Sequence, residues 1–179
     1  MSSTRIEEDE YHFRLARPDE IKRLREIEDE AGKRFDGLDI YDPSLSSSFP
    51  LDEMLRLVML EQVWVACDSS DQPVGMVLAS VRSGNGYIEE LDVLPEHGRR
   101  GLGRRLVETA CWWAREKGCS AVDLSTFRDV PWNGPFYRKL GFRDLSTEEW
   151  TEDMPKLRAI EIAQGLTPDA RVFMRRELT

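Results

Sequence analysis

The sequence is short of the residues that most often carry metal or covalent chemistry. Three of its 179 residues are cysteines (Cys67, Cys111 and Cys119), no C-x-x-C spacing occurs, and there are only two histidines. A disulfide framework and a zinc centre are therefore not expected, and the thiols are expected to be reduced. Long apolar runs are also missing. No stretch approaches the ~20 residues needed to span a bilayer, and the acidic start Met-Ser-Ser-Thr-Arg-Ile-Glu-Glu-Asp-Glu lacks the apolar segment of a secretory signal. Positive charge is scarce, with 25 Lys and Arg against 34 Asp and Glu, a net charge of -9 and a pI near 4.9. Phosphate backbones repel such a chain. These absences predict a cytoplasmic protein with no metal, no membrane contact and no nucleic-acid partner.

What is present is an ordinary globular composition, 40% hydrophobic and 33% charged, in a chain long enough to bury one core without staples. Residues 1–10 are polar and read as a disordered tail, and 11–179 as a single domain. A short strand with alternating side chains around Phe13 leads to Pro18, which opens a helix. Ile21, Leu24, Arg25, Ile27 and Glu28 lie at helical spacing along one stripe of it. Residues 32–50 read as a loop, and a second helix falls near 51–61. Strands are predicted over 63–67, 74–82 and 87–94, then a long helix over 100–117 and a strand over 121–126. A short helix over 131–140, a helix over 154–164 and a last strand over 171–176 complete the pattern. The order is strand, two helices, three strands, helix, strand, helix, strand, helix, strand. It gives a mixed α/β domain with an antiparallel front half and β-α-β crossovers behind it.

The scarce positive charge is concentrated in one place. Arg99, Arg100, Arg104 and Arg105 crowd the segment Leu94-Pro-Glu-His-Gly-Arg-Arg-Gly-Leu-Gly-Arg-Arg-Leu106, where a strand passes through a glycine turn into the long helix. Helix-start N–H groups lack internal partners and carry the positive end of the dipole, so they suit phosphate. Gly101 and Gly103 remove side chains where a pyrophosphate would approach the backbone. The dinucleotide pattern G-x-G-x-x-G fails because Leu106 holds its third glycine position, and no Gly-Lys-Ser/Thr makes a P-loop.

This segment resembles the acetyl-CoA motif of the GNAT superfamily of N-acetyltransferases, Arg/Gln-x-x-Gly-x-Gly/Ala after a strand ending Val-x-Pro. Val93-Leu94-Pro95 and Gly101-Leu102-Gly103 match it, and Gly98 stands where Arg or Gln is usual. Downstream, Phe136-Tyr137-Arg138-Lys139-Leu140-Gly141-Phe142 is similar to the family's Phe/Leu-Tyr-x-x-x-Gly-Phe. The resemblance implies a mostly antiparallel sheet flanked by helices, with a splayed strand pair at an acetyl-CoA cleft. It implies that Leu91, Asp92 and Val93 accompany the pantetheine arm. The pyrophosphate would lie on the N–H groups from Gly98 to Arg104, helped by Arg99, Arg100 and Arg104 around Gly101, Leu102 and Gly103. Asn133 would stand near the same arm. It further implies direct acetyl transfer to a primary amine, on a small molecule or a peptide, and leaves room for a homodimer.

Tyr137 suits a donor to the leaving sulfur, since a thiol near 8.5 and a phenol near 10 are not far apart. A base is expected on the strand beside the thioester, at Glu89 or Glu90. Strand alternation puts Glu89 with Tyr87, Leu91 and Val93, and a bulge would switch the choice to Glu90. The nearby acids Glu89, Glu90 and Asp129 favour a cationic acceptor, and Trp132 and Trp150 are further pocket candidates. Two readings compete with catalysis: an acyl-CoA-binding or sensing module, and a partner- or nucleic-acid-binding domain using the arginine run.

Overall fold

The computed structural model describes residues 10–179. Of the expected tail only Glu10 falls within the described residues. It ion-pairs with Arg100 at 2.9 Å.

The strands are β1 (His12–Leu15), β2 (Val63–Cys67), β3 (Pro73–Arg82), β4 (Asn85–Val93), β5 (Ala121–Phe127), β6 (Arg143–Asp144) and β7 (Arg171–Glu177). The helices are α1 (Ile21–Gly32), α2 (Leu51–Met59), α3 (Leu102–Glu116), α4 (Gly134–Lys139) and α5 (Met154–Ala163). The order agrees with the sequence reading, and β6, which has only two residues, supplies the strand before the last helix. The seven strands form one sheet in the order β1-β2-β3-β4-β5-β7-β6. Only β4 and β5 are parallel. The expected plural crossovers reduce to one, β4-α3-β5, because β7 enters antiparallel between β5 and β6.

All of β2 and the first seven residues of β3 are buried, so both faces of the sheet centre are covered. α3 packs on the face carrying Trp64, whose ring meets Trp113 edge-on at 5.7 Å. α1 packs against β3 and β4, and α2 against β3. On α2, Leu51, Leu55 and Met59, spaced four apart, are exposed on one helical face.

Two irregularities of β4 create the site. First, β4 and β5 pair only at Gly86–Val122 and Tyr87–Asp123, and then they diverge. On the β5 side the β4 backbone from Glu89 to Val93 therefore has no strand partner among the described residues. Close packing holds the branch point together. A Cβ on Gly86 would lie 2.6 Å from the Cβ of Ala114, so only glycine lets α3 approach there. Beside it, buried Asp123 accepts from Arg175 at 2.6 and 2.9 Å and from Asn85 at 2.9 Å. Second, a bulge interrupts the β3–β4 ladder. Leu78 faces Glu90 and Ala79 faces Ile88, which leaves Glu89 as the extra residue.

Candidate active site

The splayed strands open into two cavities that meet at Phe35, Leu91, Asp92, Asn133 and Tyr137. The larger, about 610 Å³, runs from this junction to the start of α3. The smaller, about 260 Å³, lies between β4 and β5 on the other side.

The larger cavity contains the arginine-glycine turn. Arg99 (φ 59°) and Gly101 (φ 75°) both adopt left-handed backbone, so successive N–H groups curl toward one concavity of the kind that binds anions. Arg105 N–H is the first to reach back, to Gly101 at 3.1 Å. The N–H groups of Leu102, Gly103 and Arg104 thus stand at the helix start without intrahelical acceptors. No side chain caps the helix. A Cβ on Gly103 would lie in ordinary van der Waals contact with the Phe136 ring, at 3.4 Å.

Of the residues expected to hold the coenzyme, Leu91, Asp92, Val93, Gly98, Arg99, Gly101, Leu102, Gly103, Arg104 and Asn133 all line this cavity. Arg100 does not. Its guanidinium turns to Glu10 and stacks over Tyr11 at 5.8 Å, because the left-handed residues on either side of it rotate its side chain away. Arg105 likewise covers Phe13 at 4.0 Å. His97 also lines the cavity and shares a 2.7 Å hydrogen bond with the Tyr11 hydroxyl.

At the junction, three buried polar atoms have no partner among the described residues: Asp92 Oδ2, Trp132 Nε1 and Asn133 Oδ1. Their three residues line the larger cavity, and buried polar atoms without a partner are uncommon in folded chains. Trp132 is held there by Arg34, 4.5 Å above its ring, and by Phe35. Trp150 instead packs against Phe173, and exposed Asp129 lines neither cavity.

Tyr137 is buried on α4, with its ring edge-on to Phe136 at 5.1 Å and to Phe142 at 5.6 Å. Its hydroxyl has no hydrogen bond among the described residues, and both cavities reach it. Burial raises its pKa, and the acids Asp92 and Glu90 push it further up. The phenol therefore favours its protonated form, with its O–H unengaged among the described residues. Gly134 fixes the start of α4, since a Cβ there would lie 2.1 Å from the Arg128 carbonyl oxygen. Gly134→Ala is expected to cost about 1–3 kcal/mol or more, read as a lower denaturant midpoint, and to displace Tyr137 with the helix.

The two glutamates are separated by the bulge. Glu89 accepts from Ser80 Oγ at 2.6 Å and from Arg82 Nε at 2.7 Å, a closed pairing that occupies it. Glu90 has no hydrogen-bond or ion-pair partner among the described residues and lines the smaller cavity. Its pKa is raised strongly, first by burial and then by Asp92, Glu28 and Glu89, with Arg171 opposing. Asp92 is raised by burial and by Glu28. Glu28, reaching from α1, is raised by burial, though Phe49 N–H donates to it at 2.7 Å and Arg25 pairs with it at 2.5 Å. Sequence reasoning misses Glu28 as a member of this trio and gives Asp92 a coenzyme contact alone. For Glu28 there is a visible signal, a charge on an apolar helical stripe. For Asp92 there is none, because its place beside Glu90 follows from the fold.

The Acetyltransferase (GNAT) family model matches residues 23–142, about two thirds of the chain. Among curated proteins, a Trypanosoma brucei brucei glucosamine 6-phosphate N-acetyltransferase is 36% identical over 83 residues, covering 40% of this chain and 54% of the relative. A Sus scrofa thialysine N-epsilon-acetyltransferase is 34% identical over 68 residues, 36% of this chain and 38% of that protein. The match thus spans about half or less of these relatives. Among solved structures, the PaiA N-acetyltransferase of Thermoplasma acidophilum, in complex with coenzyme A, superposes with a TM-score of 0.72 at 16% identity, covering 94% of this chain and 99% of that one. N-acetylglutamate synthase of Neisseria gonorrhoeae gives 0.73 at 16% identity over 94% and 35%. The splayed β4–β5 pair, the turn before α3 and the tyrosine helix all lie inside or at the edge of the matched span, and the chain belongs to the GNAT family of acetyltransferases.

Proposed function

We propose that this chain transfers the acetyl group of acetyl-CoA to a primary amine by direct attack. The observation that carries the reading is the junction of the two cavities, where Tyr137 stands beside an open β4 edge and the unpartnered Glu90 lines the adjoining smaller cavity. The larger cavity fits the coenzyme: a cradle of free N–H groups with Arg99 and Arg104 for the pyrophosphate, and an unpaired strand edge for the pantetheine amides. The curated relatives named above are N-acetyltransferases, which supports the same activity.

In this reading the amine enters from the smaller cavity and Glu90 takes its proton. Asp92 shares that proton as a positioning neighbour. The nitrogen bonds to the thioester carbon, the C–S bond breaks, and the thiolate leaves against the Tyr137 hydroxyl. A free N–H on β4 polarises the carbonyl oxygen. Glu90 takes the base role in preference to Glu89, because Glu89 is occupied by Arg82 and Ser80. A sensing module would need neither a tyrosine donor nor an unpaired acid at this junction.

The test is thiol release from acetyl-CoA against a panel of amines. Stabilisation by acetyl-CoA with no turnover on any amine would favour the sensing reading. Within the cradle, Arg99→Ala with Arg104→Ala is expected to raise the KM for acetyl-CoA roughly tenfold. Charge-assisted hydrogen bonds are worth about 1.5–3 kcal/mol, and 1.4 kcal/mol is a factor of ten. Arg100→Ala is expected to change it less than about twofold, since its guanidinium points to Glu10.

A further inference from the structure

The smaller cavity carries carboxyl groups on one wall and a guanidinium on the other. On the β4 wall stand Glu90 and Asp92, without cationic partners. On the other wall stands Arg171, at the start of β7. Register places them face to face. Glu90 lies three residues beyond Tyr87, and Arg171 pairs with Phe127, four residues beyond Asp123, the partner of Tyr87 at the branch point. At ~3.3 Å per residue both sit roughly 10–13 Å up their respective arms.

Arg171 is held in place without being used up. Its Nε and Nη2 donate to Glu161 at 3.3 and 2.9 Å, and Nη2 also reaches Ser125 Oγ at 3.2 Å. Phe127 backs the guanidinium at 4.6 Å. Nη1 has no acceptor among the described residues. Glu161 must also balance Arg158 at 3.4 Å, so two guanidinium groups share one carboxylate and the wall keeps a net positive charge.

The cavity is also bordered by two loops that are tied together. The loop before α2 is tied to the turn after α5 by Asp42 N–H to Gly165 O at 2.7 Å, Thr167 N–H to Ile40 O at 3.0 Å and the Tyr41–Leu166 bridge. Ser46 and Ser47 from one side and Gln164 from the other complete the lining. Its 260 Å³ equals about nine water volumes, room for a molecule of amino-acid size.

Resting on the acetyl-transfer reading, we infer that the acceptor is a small amine that also bears a carboxylate. Its amine faces Glu90 and Asp92, and its carboxylate meets Arg171 across the cleft. A planar guanidinium fixed by a carboxylate and an aromatic face is suited to such a group. A polycation would find its second charge against Arg171.

The test uses the full chain and a panel of free α-, β- and γ-amino acids. Each is paired with the primary amide of the same skeleton, and one short peptide is added. Two readouts are taken: thermal stabilisation in the presence of CoA, and thiol release from acetyl-CoA. The expected result is a kcat/KM at least tenfold higher for one or more free acids than for the matched amide, and no use of the peptide. Equal or better turnover of the amides or the peptide overturns this inference and leaves acetyl transfer standing. Carboxylate-selective stabilisation without turnover upholds the site and overturns the transfer reading, and neither stabilisation nor turnover overturns both. Arg171→Gln is expected to raise KM for the free acid at least tenfold while the amide changes little. The paired substrates decide the matter on the unaltered chain if that variant does not fold.

Discussion

Replacing Tyr137 with phenylalanine is expected to lower kcat roughly 10- to 100-fold while the KM for acetyl-CoA stays within about threefold. A hydrogen bond to a developing charge is worth about 1.5–3 kcal/mol, and each 1.36 kcal/mol is tenfold in rate. The size of the loss follows from the environment of the hydroxyl. Burial and the acids Asp92 and Glu90 hold its pKa above the ordinary phenol range, far above a thiol near 8.5. Full proton transfer to the departing sulfur is therefore uphill, and the contribution is that of a hydrogen bond the phenol never gives away. The fold should not suffer, because the hydroxyl has no hydrogen-bond partner among the described residues and the ring contacts with Phe136 and Phe142 remain. Steady-state kinetics and a melting curve check both halves. Undiminished kcat in Tyr137→Phe would remove the tyrosine from the chemistry.

The parts of this site that are legible in the sequence are local. Gly98 to Arg104 sit in one turn, and Phe136 to Phe142 in one helix and its stop, so adjacent residues carry their own signal. The strand and helix order is readable for the same reason, since periodicity is a short-range property. The parts that escape depend on register and on side-chain direction. Arg100 is chemically identical to Arg99, and only the backbone angles on either side of it decide which one faces the cleft. Alternation alone favours Glu89 over Glu90, and a single extra residue in the β3–β4 ladder interrupts that alternation, while both glutamates line the smaller cavity. The second cavity is hidden for a stronger reason. Ser46 lies more than 100 residues before Gln164 and Arg171, and Glu90 on β4 falls between, so nothing local announces that they line one cavity. Glu28 lies between these cases. Its place on the apolar stripe of α1, beside Arg25, is an anomaly that the residue pattern itself displays.

Glu90→Gln is expected to lower kcat/KM at neutral pH by about 10²- to 10³-fold, within the usual range for a lost general base, and to erase the acid limb of the pH profile. In the parent chain that limb should lie above the ordinary carboxylate range. Burial raises Glu90 first, the charges of Asp92, Glu28 and Glu89 raise it further, and Arg171 opposes them in part. Asp92→Asn removes the foremost of these like charges, so the limb should move to lower pH. Stability should change in the opposite sense to activity. The folded chain holds the protons of Glu90, Asp92 and Glu28 more tightly than the unfolded chain does. Between the ordinary carboxylate range and the raised values the folded state thus binds more protons, and stability falls as pH rises through that window. Glutamine has no proton to lose. Glu90→Gln should therefore flatten the slope and leave the ligand-free protein more stable than the parent above the window, a trade of stability for activity at a strained site. Denaturant midpoints across pH 5 to pH 9 measure the slope, and kcat/KM across the same range measures the limb. A variant that is both inactive and uniformly less stable would make Glu90 a structural residue, and one that keeps its acid limb would return the base role to Glu89 or to water.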